Sequence, residues 1–343
     1  MKNLNNYIVE HLEYSTFPII ERLHITKDSK AIVYKYFPET KNELREILEE
    51  RLKEDTNSDL NDIDVSKITD MSELFYCLNP HNIDISNWDV SNVKDMNNMF
   101  YNCINFNSDL SEWDVSNVKN MNGLLAGCKN FNSDVSKWDV SNVTDMGGLF
   151  ARCDNFNQNI STWDVSNVEN MCNMFYECER FNSDLSKWNV SKVTDMSQMF
   201  HDCENFNCDL SNWDVSNVEN MCNMFYECKK FNSNLSNWDL TNFKNMNVMF
   251  AGCQKFNSDV SKWDVSNVTD MGGLFARCDI FNQDISAWDV SNVENMINIF
   301  YQCYKFNQNL DNWKVKNLQM SRNSFYEMPL SYNPPRWYKK LKI

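Results

Sequence analysis

One tryptophan recurs every 25 residues with no insertion or deletion, and this period constrains the fold more than any other feature of the chain. The ten positions are Trp88, Trp113, Trp138, Trp163, Trp188, Trp213, Trp238, Trp263, Trp288 and Trp313. A fixed period of this size indicates stacked structural units, each buried by its neighbours. The usual division of 343 residues into two or three globular domains therefore does not apply.

Each repeat divides into two expected elements, as residues 131–153 show. Apolar residues lie near alternation from Phe131 to Val140, which predicts a short strand. A helical spacing of three and four residues then joins Val143, Met146, Leu149, Phe150 and Cys153. Asp or Asn precedes the methionine at the Met146 position of each repeat from Met96 to Met296 and could cap that helix. The sequence thus predicts an α/β fold, a right-handed solenoid with one short strand and one short helix per turn.

The segments outside the repeats are expected to cover the two ends of the stack, because an open end leaves backbone groups unpaired. We assign residues 1–58 to an N-terminal α/β cap, 59–313 to the repeats and 314–343 to a C-terminal cap. Pro334 and Pro335 suit an end, since proline cannot donate to a further rung.

Within residues 1–58, three elements are predicted. Thr40 to Glu43 has the form of a capping box, and leucines at helical spacing follow it, so we expect a helix over 41–53. Alternation over residues 30–37 predicts a strand, and a short helix near 4–12 is possible.

Nine of the thirteen cysteines share one repeat position, from Cys103 to Cys303. Side chains stacked in register point in parallel, which favours a buried file of thiols over disulfide bonds. No C-x-x-C pair occurs and only four histidines are present, so we expect no zinc site.

The charge and the motifs exclude several classes of function. A net charge of −16 argues against nucleic acid or an anionic membrane as partner. No phosphate-binding loop, dinucleotide fingerprint or catalytic dyad is present, so we expect neither an enzyme nor a cofactor. The aspartate file from Asp114 to Asp289 could attract calcium between rungs, but turn formation accounts for it, and we do not expect calcium binding.

Columns that vary from repeat to repeat are free of packing and hence candidates for a partner. The clearest runs Tyr101, Ala126, Ala151, Tyr176, His201, Tyr226, Ala251, Ala276, Tyr301, and we call it the tyrosine column. The residue after each of these also varies, as does the residue before each tryptophan. Tyrosines with mixed charges are typical of protein interfaces. The candidate partner-binding residues are Tyr101, Arg152, Tyr176, His201, Tyr226, Arg277 and Tyr301.

Drift on a surface without a partner would produce the same variation, and copying has shaped this chain. Residues 131–153 reappear identically at 256–278, five repeats later. The periodic surface could therefore be inherited by duplication rather than selected for a ligand.

The recurring phrase of tryptophan, D-V-S-N-V, an Asp-Met or Asn-Met pair, M-F-Y-x-C and F-N-x-D-L-S resembles the repeats of BspA-like leucine-rich-repeat proteins, a bacterial surface-protein group. The resemblance covers about residues 59–325. It implies a leucine-rich-repeat-like solenoid in a protein that is secreted or located at the cell surface. The first residues, in contrast, hold no apolar run of signal-peptide length and predict a cytoplasmic protein, and no segment has the length of a membrane helix.

Three functions follow as hypotheses. The first is a non-enzymatic scaffold that presents its extended repeat surface to a protein partner. The second is a surface adhesin or antigen that binds host or matrix proteins. In the third, the repeats deliver residues 1–58 as an effector module.

Overall fold

The computed structural model describes residues 22–25 and 31–340. Strands β1 (Arg22–Ile25) and β2 (Ala31–Tyr34) form an antiparallel pair in which Arg22 lies opposite Tyr34. The strand predicted over 30–37 is thus present in part, as β2. The helix considered near 4–12 lies outside the described residues.

The predicted helix over 41–53 is confirmed as α1, Lys41–Glu54. Its N-cap is Thr40, whose side-chain oxygen accepts a hydrogen bond from the Glu43 N–H at 3.3 Å. Three leucines at helical spacing, Leu44, Leu48 and Leu52, are buried against the repeats. This apolar stripe packs α1 onto the first repeat. The packing stabilises the helix, since an isolated helix of this length is marginal in water.

Each 25-residue repeat forms one layer, which we call a rung, and backbone hydrogen bonds join successive rungs. The Met96 N–H donates to the Asn120 carbonyl at 2.9 Å, and the Phe100 N–H donates to the Leu124 carbonyl at 2.9 Å. The residues between them bond inside the rung, so that the Met99 N–H donates to the Met96 carbonyl at 3.1 Å. Alternate residues therefore tie a rung to the next rung and to itself.

The short helix expected in each repeat is not formed anywhere in residues 55–328, which are consecutive turns. Two residues of each rung, four positions apart, have positive φ: Asn98 (51°) and Asn102 (58°) are one such pair. A left-handed residue in every turn prevents a right-handed helix from propagating. The three- and four-residue apolar spacing therefore reports a chain of turns with one buried side.

The strand expected in each repeat is not formed either. Residues 131–140 carry no bridge to a neighbouring rung; isolated parallel bridges lie instead at the position of Asp145 in successive rungs, as in Asp95 with Asn120 and Asp145 with Asn170. That Asp or Asn was predicted to cap a helix. Its side chain instead accepts from the backbone N–H two residues later, at 2.8 Å from Gly147 to Asp145 Oδ1.

Aromatic side chains stacked on their own copies form the core. Trp138 and Trp163 lie 6.2 Å apart between ring centroids, and two files of phenylalanine meet at 3.9 Å between Phe150 and Phe156. Each indole N–H finds a buried acceptor: Trp138 Nε1 donates to the Leu110 carbonyl at 3.0 Å. The indole is thereby both packed and satisfied, as a buried tryptophan requires.

The nine aligned thiols are buried, and each lies near the backbone carbonyl 28 residues earlier. Cys153 Sγ lies 3.1 Å from the Leu125 carbonyl oxygen, and Cys178 Sγ lies 2.9 Å from that of Phe150. Burial raises the pKa of Cys103 to about 12 and that of Cys153 well above its usual range. All thirteen cysteines are free thiols, and these nine stay protonated near neutral pH.

Arginine 45 on α1 covers the N-terminal end of the stack. Its guanidinium donates to the carbonyls of Leu74 at 2.8 Å, Tyr76 at 2.8 Å and Glu73 at 3.0 Å. The carbonyls at the Leu74 and Tyr76 positions accept from the preceding rung elsewhere in the stack, for example Met99 O from the Phe75 N–H. Arg45 thus supplies donors where no preceding rung exists.

At the C-terminal end a tryptophan outside the period occupies the place of a further rung. Trp337, in the short helix α2 (Arg336–Lys340), stacks on Trp313 at 6.2 Å and donates from Nε1 to the Leu310 carbonyl at 2.9 Å. A 3-10 turn, Pro329–Ser331, precedes it. Rung-type bonds continue as far as Tyr326 O, which accepts from the Gln302 N–H at 3.2 Å. The last rung therefore lies within residues 314–343.

We expect replacement of Arg45 by methionine to lower the free energy of unfolding by about 1–3 kcal/mol, because methionine keeps the apolar stem but removes three charge-assisted hydrogen bonds to backbone carbonyls. Chemical denaturation followed by tryptophan fluorescence measures this. Arg180→Met is the control, since Arg180 is exposed and its loss should change stability by no more than about 0.5 kcal/mol. Equal effects of the two substitutions would contradict the capping role.

Short carboxylate turns brace the outside of each rung. Asp134 Oδ1 accepts from the Ser136 N–H at 2.9 Å, and Asp184 Oδ1 accepts from the Ser186 N–H at 2.9 Å. These backbone bonds, with the serine hydroxyls, lower the pKa of Asp134 and Asp184. Asparagine makes the same bond where it replaces the aspartate: Asn159 Oδ1 accepts from the Ser161 N–H at 3.0 Å.

The lowered pKa values predict an acid-labile fold. A carboxyl group whose pKa is lower in the folded than in the unfolded chain adds stability above the unfolded value, about 3.9, and that stability is lost as pH falls through the folded value. Changing Asp134, Asp184 and Asp259 together to asparagine should therefore reduce the drop in melting temperature between about pH 5 and pH 2. Thermal unfolding followed by circular dichroism at several pH values measures the drop. An unchanged pH profile would contradict this assignment.

Candidate binding face and its two notches

The candidate partner-binding residues lie in two adjacent columns on one face of the rungs. Tyr101, Tyr176, His201, Tyr226 and Tyr301 belong to the tyrosine column, whereas Arg152 and Arg277 occupy the second left-handed position of their rungs, with φ of 59° and 60°. A positive φ at arginine is unusual. Here the rung imposes it, since the same position is left-handed in every rung.

The middle of the tyrosine column forms a continuous stack. The His201 ring lies between Tyr176 and Tyr226 with 4.6 Å between centroids on each side, and the Arg152 guanidinium lies 5.7 Å from the Tyr176 ring centre. Four of the seven candidates are therefore brought together. Tyr101 and Tyr301 lie further along the column and do not join this stack.

Tyr101 and Tyr301 pack instead against tyrosines that are not among the seven candidates, Tyr101 with a tilted ring and Tyr301 with a stacked one. Tyr101 lies 5.9 Å from Tyr76, and Tyr301 lies 5.9 Å from Tyr326. Both partners obey the 25-residue spacing, so the signal was present in the sequence. The tyrosine column thus extends to Tyr76 and Tyr326, two members that the prediction from Tyr101 to Tyr301 does not include.

Burial makes His201 less basic than a free histidine. Its Nδ1 is buried and lacks a partner with hydrogen-bond geometry, although Asp202 Oδ2 lies 3.1 Å away. Desolvation lowers the pKa of His201 and raises the pKa of Asp202, and the charges of Glu177 and Glu227 partly oppose the first of these shifts. A neutral imidazole stacked between two phenols presents an aromatic surface at neutral pH.

A depression of about 310 Å³, the first notch, opens where the tyrosine column is interrupted by two alanines. Tyr101 and Tyr176 form its two ends, and Arg152 lies on its rim. Small residues make its floor: Gly123, Ala126, Gly127, Gly147, Gly148 and Ala151. A Cβ added at Gly148 would meet no atom closer than 3.9 Å. Packing therefore does not require a glycine there, although its φ of +60° favours one.

The second notch lies five rungs later, between Tyr226 and Tyr301, and its floor is occupied by the chain itself. A Cβ at Gly273 would meet Val248 Cγ1 at 2.6 Å, and a Cβ at Gly252 would meet Glu227 Cδ at 2.5 Å. Glu227 is buried and reaches across Gly252 to pair with Arg277 Nη1 at 2.5 Å. Val248 thus fills space that is open over Gly148 in the first notch, whereas Glu227 lies over Gly252 as the shorter Asn102 lies over Gly127.

The two notches differ although the two copies that cross them are identical in sequence. The identical copies are residues 131–153 and 256–278. The difference comes from the two preceding rungs, which supply Glu227 and Val248 at the second notch but Asn102 and Gly123 at the first. The shape of each notch is therefore set by residues outside the duplicated block.

One family pattern matches the chain three times in tandem, at residues 43–163, 144–252 and 232–337, and together these matches cover most of its length. The family is described as Mycoplasma protein of unknown function, DUF285. The chain belongs to this family. Comparison with the curated proteins gave no match, and neither did comparison with the solved structures.

The DUF285 matches include most of α1, every rung and Trp337, so the notches lie inside the matched region. This DUF285 chain is a repeat protein. No group of three or more His, Cys, Asp or Glu within residues 22–25 and 31–340 is placed to hold a metal ion. Among the same residues, no helix is long and apolar enough to cross a membrane.

The carboxylates that pair with the two arginines should differ in energetic weight. Glu227 is largely buried, with 12% of its side chain exposed, whereas Glu177, which pairs with Arg152 at 3.0 Å, is 36% exposed. We expect Glu227→Gln to lower the free energy of unfolding by about 1–3 kcal/mol, since Arg277 loses a desolvated partner. Glu177→Gln should cost less than about 1 kcal/mol. Denaturation curves for both variants test this, and a larger cost at Glu177 would contradict it.

Proposed function

We propose that this chain is a non-enzymatic protein-binding scaffold that presents the tyrosine column and its notches to a partner protein. In this proposal the stacked rungs form a right-handed, leucine-rich-repeat-like solenoid closed at both ends. The resemblance to BspA-like repeats supports the same role at a cell surface. The observation that carries the proposal is the row of stacked aromatic rings and the open notch on one face.

The chemistry of this face favours protein recognition. Tyrosine offers a large contact area with few rotatable bonds, and tyrosine and arginine are enriched where binding energy concentrates. Tyr101 is 37% exposed and Tyr326 is 52% exposed, so their rings remain accessible although each packs against a neighbouring tyrosine. The stacking fixes the ring orientations before a partner arrives, which reduces the entropy lost on binding.

The rungs beneath the face supply rigidity. Phe150, Phe175 and Phe200, which directly precede members of the tyrosine column, are fully buried and stack on one another at 5.8 and 5.6 Å. A side chain that follows a locked core residue on a hydrogen-bonded rung is held in place. Such rigid support is what precise binding sites require.

Catalysis has little support among the described residues. A nucleophile needs a base within reach, but the nine aligned thiols are buried and protonated, and His201 is held between two tyrosine rings. The exposed Cys77 lies outside the notches. A scaffold accounts for the arrangement without a reaction.

A photo-crosslinking amino acid placed at Tyr101 or Tyr226 tests the proposal in extracts of the cells that produce the protein. We expect discrete crosslinked protein species at these positions that disappear when unlabelled full-length chain competes. Asn212 is the matched control, because it is exposed and lies in the variable column before the tryptophans. The proposal fails if Asn212 gives the same species, or if neither tyrosine position gives a species that can be competed away.

A further inference from the structure

The second notch contains a carboxylate supplied by the chain itself. Glu227 extends over Gly252, where its Oε1 and Oε2 would lie 2.7 and 2.8 Å from an added Cβ, and it pairs with Arg277 two rungs beyond its own. The charged pair crosses the floor of the notch. The residue that follows Arg277 in the same column is Gln302, which is uncharged.

The first notch has the same arginine but lacks that carboxylate. Five rungs earlier, Asn102, Gly127 and Arg152 occupy the positions of Glu227, Gly252 and Arg277. Asparagine is one carbon shorter than glutamate and carries no charge; its Oδ1 lies over Gly127, 2.2 Å from an added Cβ. Arg152 Nε donates to Glu177 Oε2 on the following rung at 3.0 Å. No Asp or Glu is among the residues that line the first notch.

We propose that the first notch binds a carboxylate of a partner, the side chain of a glutamate or aspartate in an exposed peptide segment, at the Arg152 donors that Glu177 leaves free, as Glu227 binds Arg277 in the second notch. This inference rests on the proposed scaffold function and names the chemistry that the partner brings. The second notch serves as an internal example of the bound state. Its ligand is part of the chain, whereas the ligand of the first notch comes from outside.

Arg152 is suited to hold two carboxylates at once. A guanidinium has five N–H donors in a planar fork and can accept a carboxylate along more than one edge. Glu177 uses the edge that carries Nε, and the Tyr176 ring supports the guanidinium at 5.7 Å from its centre. A ligand carboxylate that enters the notch through the open space over Gly148 would meet the remaining donors. A charge-assisted pair of this kind is about twice as strong as a neutral hydrogen bond.

The rest of the notch accommodates the atoms that carry such a carboxylate. The open space over Gly148, which Val248 fills at the equivalent place over Gly273, receives the stem of the ligand side chain. The Tyr101 and Tyr176 rings bound the notch on either side. The net charge of −16 repels an acidic ligand over most of the surface, and the free donor edge of Arg152 gives such a ligand a local attraction in the first notch.

Alanine methyl groups report on each notch separately. The chain has six alanines, of which Ala126 and Ala151 lie in the first notch, Ala251 and Ala276 in the second, and Ala287 in the column before the tryptophans. Full-length protein labelled at alanine methyls is titrated to millimolar concentration with a blocked, uncharged-ended peptide, Gly-Ser-Glu-Ser-Gly, and with its glutamine counterpart. We expect saturable shifts at Ala126 and Ala151 with the glutamate peptide, and at least about tenfold weaker binding of the glutamine peptide.

Exchanging the residues that distinguish the notches should exchange their behaviour. Asn102→Glu supplies an internal carboxylate and should abolish the shifts at Ala126 and Ala151. Glu227→Asn removes it from the second notch and should produce shifts at Ala251 and Ala276, in full if Val248→Gly is added. Arg152→Gln should lose binding while the Ala251 and Ala276 signals stay in place, which shows that the variant is folded.

Two results would overturn the inference: no saturable shift at Ala126 and Ala151, or equal shifts in wild-type protein and Asn102→Glu. The failure of this inference can be distinguished from the failure of the proposed function. If crosslinking at Tyr101 or Tyr226 identifies a partner and the peptide does not bind, the scaffold stands and the carboxylate site fails. If the peptide binds and crosslinking finds no partner, the site stands and the scaffold role fails.

Discussion

The structure depends on the backbone bond that each rung donates to the next. Because alternate residues bond forward and inward, the repeat needs neither a helix nor an extended strand to satisfy its backbone groups. The bond also gives the stack a direction, with carbonyls unpaired at the first rung and N–H groups unpaired at the last. At the first rung, the Arg45 guanidinium donates to the carbonyls of Leu74 and Tyr76.

Side-chain ladders then keep the rungs in register. Asparagines accept from the rung that follows, as Asn107 Oδ1 does from the Asn132 N–H at 2.8 Å, and each indole bonds a carbonyl 28 residues earlier. A slip of one residue would break all of these bonds together and expose the phenylalanine files. Register is therefore fixed by polar and apolar contacts that fail in concert, which is the property of a cooperative repeat array.

Much of this could be predicted from the sequence, because packing columns repeat without a gap. The burial of the indoles, the thiol file and helix α1 each follow from spacing alone. The turns could not be predicted: Arg152, Glu177 and Val248 all adopt φ near 50–60°, and none of them signals a left-handed residue. The residue type at these positions changes from rung to rung, whereas the backbone conformation stays the same, so the sequence does not indicate it.

The candidate site divides in the same way. Its tyrosine column is visible in the sequence, but the difference between the two notches is not, since residues 131–153 and 256–278 are identical. What distinguishes them is a contact made by the preceding rung, at Asn102 and Glu227. Only a three-dimensional arrangement shows that a side chain 25 residues earlier fills or leaves open the space above a glycine.

The specialised ends have a consequence for how such a chain lengthens. Arg45 fits only the first rung and Trp337 only the last, so whole layers can be added only in the interior, in steps of 25 residues. Each insertion creates two new junctions, and every contact away from them is preserved. A copied block therefore keeps its own packing. Its surface contacts change only where it meets a rung of different sequence, so new surface shapes arise at these junctions.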